Sequence, residues 1–320
     1  MTTMITGAGL VGSQIARILV QQGEKPVLFD IAPNLTALAD VVGDVGAVTL
    51  FRGDLLNPFD LGKVINEHGI TRIIHTAAYP NLGTGAQENP YGAIQVNIMG
   101  TANVLEAARL HGAERVVMIS TAAVARGIAG GEDNGDHSKE EALPRPSSFY
   151  SATKQAGENL GYNYARSHGV DFRAVRFPNV CGPWIPGGGG RPSAMFRTLV
   201  EKSVDGVEHT VPPGVMEWLY SKDAARGVVL ALQTEGVKSR VFNLGVGKPY
   251  DNQELIDIFK QVVPGAKLGI DESATTSQTS SVFLDITRAQ TELGFDAEYD
   301  IPAAVSDFVG WYRRLKGKGN

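Results

Sequence analysis

Cysteine is nearly absent from this chain of 320 residues, because Cys181 is the only one. A single cysteine excludes an internal disulfide bond and fits the reducing environment of the cytoplasm, where we expect this protein. Cys181 has no matched set of His or Cys residues around it in the sequence. We therefore interpret it as a packing residue rather than a nucleophile or a metal ligand.

Long apolar segments are also missing, and the longest fall well short of a membrane span. The first residues pass directly into a short strand and a glycine turn, which leaves no room for a signal peptide. We therefore expect no membrane partner and no export signal.

Positive charge is in deficit, with 29 Lys and Arg against 34 Asp and Glu and a formal net charge of −5. No block of basic residues stands out, so the composition argues against a nucleic-acid partner. Apolar residues make up 43% of the chain and charged residues 20%, which are ordinary values for a globular protein. The length allows a large core and two lobes.

A glycine motif lies between an apolar strand, Thr3–Thr6, and a helix predicted over 13–21. It consists of three glycines and the residues between them, Gly7-Ala8-Gly9-Leu10-Val11-Gly12. In a dinucleotide-binding turn, Gly7 would make the tight bend, Gly9 would admit a pyrophosphate, and Gly12 would let helix and strand pack closely. Free N–H groups at the start of the helix would face the pyrophosphate. The alternative is a glycine turn without a ligand.

A second strand, 26–29, ends at Asp30, eighteen residues after Gly12. A carboxylate at this position accepts hydrogen bonds from the adenosine ribose hydroxyls. Residues 31–33 include no Arg or Lys that could neutralise a 2′-phosphate. Asp30 therefore predicts that the protein binds NAD rather than NADP, because its carboxylate would attract the ribose hydroxyls of NAD and repel the 2′-phosphate of NADP. The alternative is a solvated carboxylate at a strand end.

Strand and helix patterns continue to alternate through residue 178. Further strands are predicted at 48–52, 72–75, 115–119 and 172–177, and helices at 58–68, 91–111 and 149–167. Such alternation predicts an α/β fold with a doubly wound parallel sheet (a Rossmann fold), which binds its ligand at the carboxyl ends of the strands. We predict a dinucleotide-binding domain over 1–178, to which 218–243 returns as helix and strand, and a smaller C-terminal substrate-binding lobe over 179–320.

Several residues near the predicted strand ends are candidates for cofactor contacts. Asp54 could receive the adenine amino group, although an N-cap role fits nearly as well. Ala77 and Ala78 are small enough to let a dinucleotide cross the sheet edge. Asn97, on a long helix, is either a support for the site or a structural residue. His75 sits in an apolar strand, and we interpret it as a core histidine.

Tyr150 and Lys154 lie four residues apart at the start of a predicted helix and therefore share a face, with Cβ atoms about 5–6 Å apart. A phenol beside an ammonium ionises more easily, because the positive charge favours the phenolate over its reference pKa near 10. Such a tyrosine can exchange a proton with a hydroxyl near neutral pH. The spacing alone also fits two surface residues, and the dinucleotide motif upstream favours the chemical interpretation.

Two segments interrupt the alternation. Residues 126–146 are rich in Gly, Asp, Glu and Pro and predict a surface loop. Its Asp133, Asp136 and His137 could imitate a metal site, but we interpret them as solvated and predict no metal. The run Gly187–Gly190 cannot be stiff and suggests a mobile substrate loop.

Together, these segments resemble the extended short-chain dehydrogenase/reductase superfamily, in its NAD-dependent epimerase/dehydratase branch. The resemblance covers nearly the whole chain. It rests on Thr6–Gly12, Asp30, Gly53-Asp54-Leu55, His75–Ala78, Asn97, Ser120-Thr121, Tyr150–Lys154, Arg176–Pro183, Phe242–Gly245 and Ala289–Phe295.

The resemblance implies a role for each catalytic residue. Tyr150 would be the acid/base, Lys154 would lower its pKa and hold the nicotinamide ribose, and Thr121 would hydrogen-bond the reacting oxygen. A hydride would move between a substrate carbon and NAD. The cofactor contacts that we predict are Gly7, Gly9, Leu10, Val11, Gly12, Asp30, Asp54, Leu55, Ala77, Ala78, Asn97, Tyr150, Lys154 and Phe177.

The chain departs from the nucleotide-sugar members of this family in three respects. Its glycines are spaced G-x-G-x-x-G rather than G-x-x-G-x-x-G, which puts the path of the turn in question. Ala122 and Ala123 stand where dehydratases carry an Asp-Glu pair, so elimination of water lacks its catalysts. Met216–Trp218 and Ser277–Ser281 replace segments whose arginines grip a diphosphate. We therefore expect a small substrate without a nucleotide.

We predict an NAD-dependent oxidoreductase of a small polyhydroxylated or hydroxy-acid compound, such as a sugar acid, an aldonate or a hydroxy-amino acid. The substrate contacts that we predict are Thr121, Ala122, Asn179, Arg191 and Trp218. Arg191 would hold a carboxylate, unless it is a solvated surface charge. The alternatives are a sugar or nucleotide-sugar epimerase that retains NAD, and a non-catalytic dinucleotide sensor. The resemblance also implies a homodimer through the helices 91–111 and 149–167.

Overall fold

The computed structural model describes residues 1–125, 139–185, 188–275 and 283–317. Asp133, Asp136 and His137 of the predicted loop lie outside the described residues, as do Gly187 and Ser277–Ser281.

Strands and helices alternate along much of the described chain. The strands are β1 (Thr2–Thr6), β2 (Val27–Asp30), β3 (Thr49–Arg52), β4 (Ile70–His75), β5 (Arg115–Thr121), β6 (Asp171–Phe177), β7 (Asn179–Cys181), β8 (His209–Val211), β9 (Val215–Tyr220), β10 (Val241–Asn243), β11 (Pro249–Asp251) and β12 (Leu268–Ile270). The helices are α1 (Leu10–Gln21), α2 (Leu35–Val42), α3 (Pro58–His68), α4 (Leu82–Glu88), α5 (Pro90–Ile94), α6 (Gly100–His111), α7 (Phe149–His168), α8 (Gly190–Asp205), α9 (Ser221–Gln233), α10 (Asn252–Val262) and α11 (Ile301–Gly317).

Within the described residues, seven parallel strands form the main sheet in the order β10-β6-β5-β4-β1-β2-β3. The chain builds outwards from β1 in one direction and then from β4 in the other. The order therefore reverses between these two strands, where a doubly wound sheet opens a crevice for ligands. This topology confirms the predicted fold class.

Helices cover both faces of the main sheet, which explains why its strands are almost continuously apolar. On one face, α1 and α9 pack through side chains such as Ile15, Leu19 and Val228. On the other face, α3 and α6 bury side chains such as Val64 and Val104 against the sheet. The helix α1 begins at Leu10, three residues earlier than the pattern predicted.

The C-terminal lobe has its own core. Its sheet has the order β11-β9-β7, and β8 pairs with β12 beside it. The helices α8, α10 and α11 contribute Phe196, Phe259 and Phe308 to a buried cluster that contains Trp218 from β9. The helix α9 then begins at Ser221, and β10 pairs with β6 at the edge of the main sheet. None of the helices in the described part of the chain is long and apolar enough to cross a bilayer.

Candidate active site

A cavity of about 1150 Å³ lies at the carboxyl ends of the main-sheet strands. Residues that follow β1, β2, β4, β5 and β6 line it, together with the residues that open α8. Most of the predicted site residues meet there, namely Gly7, Gly9, Leu10, Val11, Gly12, Asp30, Leu55, Ala77, Ala78, Thr121, Ala122, Tyr150, Lys154, Phe177, Asn179 and Arg191. The parallel sheet thus brings together residues that are far apart in the sequence.

The glycine turn after β1 has room for a ligand at one of its three glycines. Gly7 has a φ of +87°, and a Cβ there would approach the backbone of Ala77 to 2.9 Å. A Cβ on Gly12 would lie 2.0 Å from the carbonyl oxygen of Gly7. A Cβ on Gly9 would meet nothing within 4 Å, and Gly9 lines the cavity. The turn therefore fits a pyrophosphate that approaches its backbone at Gly9.

Asp30, at the end of β2, presents its carboxylate to the same cavity. Its Oδ2 accepts a hydrogen bond from the N–H of Ala8 (2.7 Å), and its Oδ1 accepts one from the N–H of Ala32 (2.8 Å). Each carboxylate oxygen can accept a second hydrogen bond, so the group fits ribose hydroxyls. The sequence reasoning missed Arg52, which pairs in register with Asp30 and donates through Nε to the carbonyl oxygen of Ile31 (3.0 Å).

The first turn of α7 places Tyr150 at the cavity. Ser148 caps this helix, because its hydroxyl accepts from the N–H of Ser151 (3.2 Å) while Ser151 Oγ accepts from the N–H of Ser148 (3.1 Å). Lys154 follows one turn later, and its Nζ lies 6.0 Å from the centre of the Tyr150 ring. Thr121 reaches the cavity from the end of β5. The cap and the strand end therefore set the three predicted catalytic side chains around one space.

Burial dominates the electrostatics of this pair. It raises the pKa of Tyr150 well above its ordinary value and lowers the pKa of Lys154 to about 8. The structure therefore contradicts our expectation that Tyr150 ionises more easily than an ordinary phenol, because burial removes water from around it and raises its pKa. Tyr150 is a protonated acid at neutral pH, and Lys154 titrates close to the pH range in which acid–base groups work best.

Three predicted contacts, Asn97, Asp54 and Trp218, lie outside the described lining of the cavity. Asn97 is 2% exposed, and both ends of its amide are occupied: Oδ1 accepts from the N–H of Tyr79 (2.7 Å) and Nδ2 donates to Thr153 Oγ1 (2.9 Å). It lies in a π turn, Gln95–Met99, that joins α5 to α6 where we predicted one continuous helix. Asn97 therefore connects α7 with the loop after β4 rather than lining the cofactor site.

Asp54 and Trp218 are the other two residues outside this lining. The Oδ1 of Asp54 accepts from the N–H of Leu56 (2.9 Å), and α3 is capped by Asn57, so the N-cap alternative is wrong while the adenine contact stays a prediction. Trp218 is fully buried with its ring 5.2 Å from that of Phe196. It belongs to the core of the lobe, because strand β9 turns its side chain away from the cavity.

The sequence reasoning also missed the cavity wall formed by Tyr79, Pro80, Asn81, Leu82, Gly83, Thr84, Gln87 and Glu88. Asn81 and Leu82 adopt φ values of +58° and +44°, a left-handed conformation that is uncommon for non-glycine residues and strained for Leu. Leu82 also lies next to Gly190 at the start of α8. The Pro-Asn pair was the available signal, since it marks a turn directly after the small residues that follow β4.

Two residues that we interpreted as structural are part of the core. His75 is 1% exposed, shares hydrogen bonds with the hydroxyls of Thr6 (2.7 Å) and Thr101 (2.9 Å), and has its pKa lowered to about 3 by burial and by Lys154. Cys181 is fully buried, and burial raises its pKa. No group of three or more His, Cys, Asp or Glu residues in the described ranges could hold a metal ion.

The comparisons with known proteins agree with this site. A sequence model of the NAD dependent epimerase/dehydratase family matches residues 3–245, so the chain belongs to that family. The dTDP-glucose 4,6-dehydratase of Streptomyces griseus is 30% identical over 330 residues, which cover 98% of this chain and 95% of that protein. The chain is therefore an NAD-dependent enzyme of the extended short-chain dehydrogenase/reductase type.

Solved structures show the same fold. The UDP-glucose 4-epimerase of Thermus thermophilus, in complex with NAD, superimposes with a TM-score of 0.81 at 23% identity, covering 98% of this chain and 99% of that one. A partial consensus L-threonine 3-dehydrogenase gives a TM-score of 0.81 at 22% identity, covering 99% of this chain and 100% of that one. The fold thus occurs in proteins named for sugar-nucleotide and for amino-acid substrates.

Proposed function

We propose that this protein transfers a hydride between NAD and a small polyhydroxylated or hydroxy-acid compound, such as a sugar acid, an aldonate or a hydroxy-amino acid. The charge of the cavity carries the proposal. Among the described residues that line it, the cationic side chains are Lys154 and Arg191. A diphosphate is normally held by paired guanidiniums, whereas one free arginine matches one carboxylate. Arg191 also forms no ion pair with the described residues.

The lobe supports this substrate class at the position where nucleotide-sugar enzymes resembling this chain carry an arginine. Here the strand β9 carries Met216, which is buried, and the next residue is Glu217, which is 2% exposed. Its carboxylate accepts hydrogen bonds from the N–H groups of Val246 (2.9 Å), Gly247 (2.9 Å) and Leu284 (2.8 Å). An apolar side chain therefore stands at the position of the arginine, and the buried carboxylate beside it is satisfied by backbone donors, so this segment supplies no cation for a diphosphate.

The site residues would handle the proton and the substrate while NAD accepts or supplies the hydride. Tyr150 would exchange a proton with the substrate hydroxyl, and Thr121 would hydrogen-bond the same oxygen. The ammonium of Lys154 would stabilise negative charge that develops on the phenol. Arg191, at the start of α8, would bind a carboxylate and so orient the carbon that reacts. Ala122 and Ala123 offer no acid or base for elimination.

An epimerase that retains NAD is the second candidate. The similarity to proteins named UDP-glucose 4-epimerase and dTDP-glucose 4,6-dehydratase over nearly the whole chain favours it. Arginine or lysine side chains outside the described cavity lining would then have to hold the diphosphate. A non-catalytic sensor is disfavoured, because Thr121, Tyr150 and Lys154 all line the cavity.

The decisive experiment is a panel of sugars, sugar acids, aldonates and hydroxy-amino acids, followed by nicotinamide absorbance. We expect NADH to accumulate in stoichiometric amounts with a carboxylate-bearing compound. Conversion without net NADH would support the epimerase instead. Calorimetry with UDP-glucose and dTDP-glucose on NAD-loaded protein provides the second arm, and micromolar binding of either would contradict the proposed substrate class.

Arg191→Met tests the carboxylate contact within the same panel. The variant should raise KM for a carboxylate substrate at least tenfold and leave that of its neutral polyol analogue unchanged. Arg197→Met is the matched control, because Arg197 lies on the same helix but pairs with Glu201 (3.4 Å) outside the cavity lining. Equal effects of the two variants would contradict the role of Arg191.

We also propose that the protein is a cytoplasmic homodimer. The faces of α5, α6 and the π turn between them expose Tyr91 (71%), Met99 (52%) and Leu110 (62%), and α7 exposes Tyr162 (42%). Apolar side chains on two adjacent helices suit a symmetric four-helix contact. A mass of one chain in light scattering at micromolar concentration would refute the dimer. The cytoplasmic location rests on the single cysteine.

A further inference from the structure

Glu158 continues the face of α7 that carries Tyr150 and Lys154, since each of the three residues follows the previous one by four positions. Its side chain is 1% exposed. A carboxylate buried this deeply is costly unless it is paired with a cation and hydrogen-bonded. Glu158 therefore needs partners, and the structure provides them from two strands of the main sheet.

The partners of Glu158 are Arg176 on β6 and Ser120 on β5. Arg176 makes a bidentate pair, with Nε 2.9 Å from Oε1 and Nη2 2.7 Å from Oε2. The hydroxyl of Ser120 donates to Oε1 at 2.5 Å. Planar, bidentate pairs of this kind fix geometry as well as charge. Glu158 is therefore held in one orientation between α7 and the sheet.

Strand β5 is attached to α7 at two consecutive residues directly before Thr121. The Nζ of Lys154 donates to the carbonyl oxygen of Ile119 (2.9 Å), and Ser120 donates to Glu158 (2.5 Å). Thr121 and Tyr150 lie on these two elements and must meet the same substrate oxygen. The two attachments therefore set the separation between the hydrogen-bond donor and the acid/base.

The negative charge of Glu158 also acts on the ammonium of Lys154. Tyr150 on its own helix and His75 on β4 are further ionisable groups beside Lys154, and Arg176 on β6 contacts Glu158. Tyr150 and His75 are held neutral by burial, and Arg176 is paired with Glu158. Burial lowers the pKa of Lys154 to about 8, and the charge of Glu158 opposes that effect.

We propose that Glu158, clamped by Arg176, is a positioning residue of this active site: it fixes β5 to the catalytic helix through Ser120 and keeps Lys154 protonated beside Tyr150. It acts through these neighbours and touches neither substrate nor cofactor. The proposal depends on the roles of Tyr150 and Lys154 but is independent of which substrate the enzyme uses.

Glu158→Gln tests the electrostatic part, because it keeps the shape and an acceptor for Ser120 but removes the charge. The titration of Lys154 can be followed directly by NMR in protein with isotope-labelled lysine, with Lys154→Arg identifying its signal. We expect the titration midpoint to fall by roughly one to three pH units, the range that a nearby opposite charge produces. NADH binding, measured by fluorescence, should weaken at correspondingly lower pH. Neither measurement requires a substrate, so failure of the proposed substrate class would not affect them.

Glu24→Gln is the matched control. Glu24 also pairs with an arginine, Arg72 (2.9 Å), and accepts from the N–H of Thr3 (2.6 Å), but these partners lie at the amino-terminal ends of β4 and β1, away from the cavity. The control should leave the Lys154 titration unchanged. An unshifted titration in folded Glu158→Gln would overturn the electrostatic part. If Glu158→Gln fails to fold, Glu158→Asp replaces it, because this variant retains the negative charge. A fall of the Lys154 titration midpoint in Glu158→Asp would then overturn the electrostatic part.

Ser120→Ala tests the positioning part, because it removes the attachment without changing any charge. We expect kcat to fall at least tenfold, with the Lys154 titration and NADH binding unchanged. A wild-type kcat in Ser120→Ala would overturn the positioning role. If Ser120 were merely structural, the variant would lose stability, but kcat would not fall while NADH binding stayed unchanged.

Discussion

Lys154 should make stability and cofactor binding depend on pH in opposite directions. Its pKa is about 8 in the folded protein, against 10.5 for an ordinary lysine. Because the folded pKa is the lower one, the unfolded chain binds more protons between pH 8 and 10.5, and stability rises with pH in that window. Below pH 8 the buried ammonium costs the full difference, which is about 3 kcal/mol at 1.36 kcal/mol per pKa unit.

Cofactor binding should follow the ammonium itself. With a pKa of about 8, Lys154 is about 90% charged at pH 7 and about 10% charged at pH 9. If this charge holds the nicotinamide ribose, affinity for NADH should fall by up to about tenfold over that interval. The charge is therefore retained for function at the expense of stability.

Lys154→Met separates the two effects, because it keeps much of the volume and removes the charge. Urea unfolding at pH 7 and pH 9 should show the free energy of the wild type rising by about 1 kcal/mol relative to the variant, as the wild-type lysine loses its proton. NADH fluorescence should show weak binding by the variant with no pH dependence of its own. Lys63→Met is the control, since Lys63 is exposed and pairs with Glu67 on the surface of α3. Equal NADH affinity of wild type and Lys154→Met at pH 7 would refute the reasoning, as would an unfolding difference that is independent of pH.

Three further predictions concern the proton donor, the cofactor preference and the lobe core. Tyr150→Phe should lose about 10²–10⁴-fold in turnover yet bind NAD normally, and more than about a tenth of the wild-type rate would contradict the assignment. Asp30→Ala should narrow the preference for NAD over NADP in fluorescence titrations. Adding Arg52→Gln should restore part of the preference for NAD, because it removes a cation near the 2′ position. Trp218→Ala should lower the free energy of unfolding by about 3–5 kcal/mol in urea titrations, because the side chain is fully buried in the core of the lobe.

Local spacing in the sequence determined the fold and most of the cavity. The glycines at Gly7–Gly12 are required by the backbone of a single turn. The four-residue interval between Tyr150 and Lys154 follows from the period of a single helix. These constraints involve neighbouring residues, so they are readable without the structure. Residues such as Asp30, Ala77 and Thr121 follow strands, and the carboxyl ends of parallel strands meet at one sheet edge. Their convergence could therefore be predicted.

Tertiary contacts decided which polar groups face the cavity and which form hydrogen bonds with neighbouring residues instead. Asn97 looked like a cofactor contact until Tyr79 and Thr153 proved to occupy its amide. Trp218 lies in the lobe core, because which face of a short strand is buried depends on the helices packed against it. Spacing alone did not reveal that Glu158 on α7 pairs with Arg176, because this partner comes from the strand β6.

The protonation states also belong to the tertiary structure. The sequence placed an ammonium beside a phenol and so predicted an easily ionised Tyr150. Burial reverses that expectation by raising the pKa of Tyr150 and lowering that of Lys154. The cost of removing a charge from water depends on everything packed around it, and this quantity has no local signature in the chain.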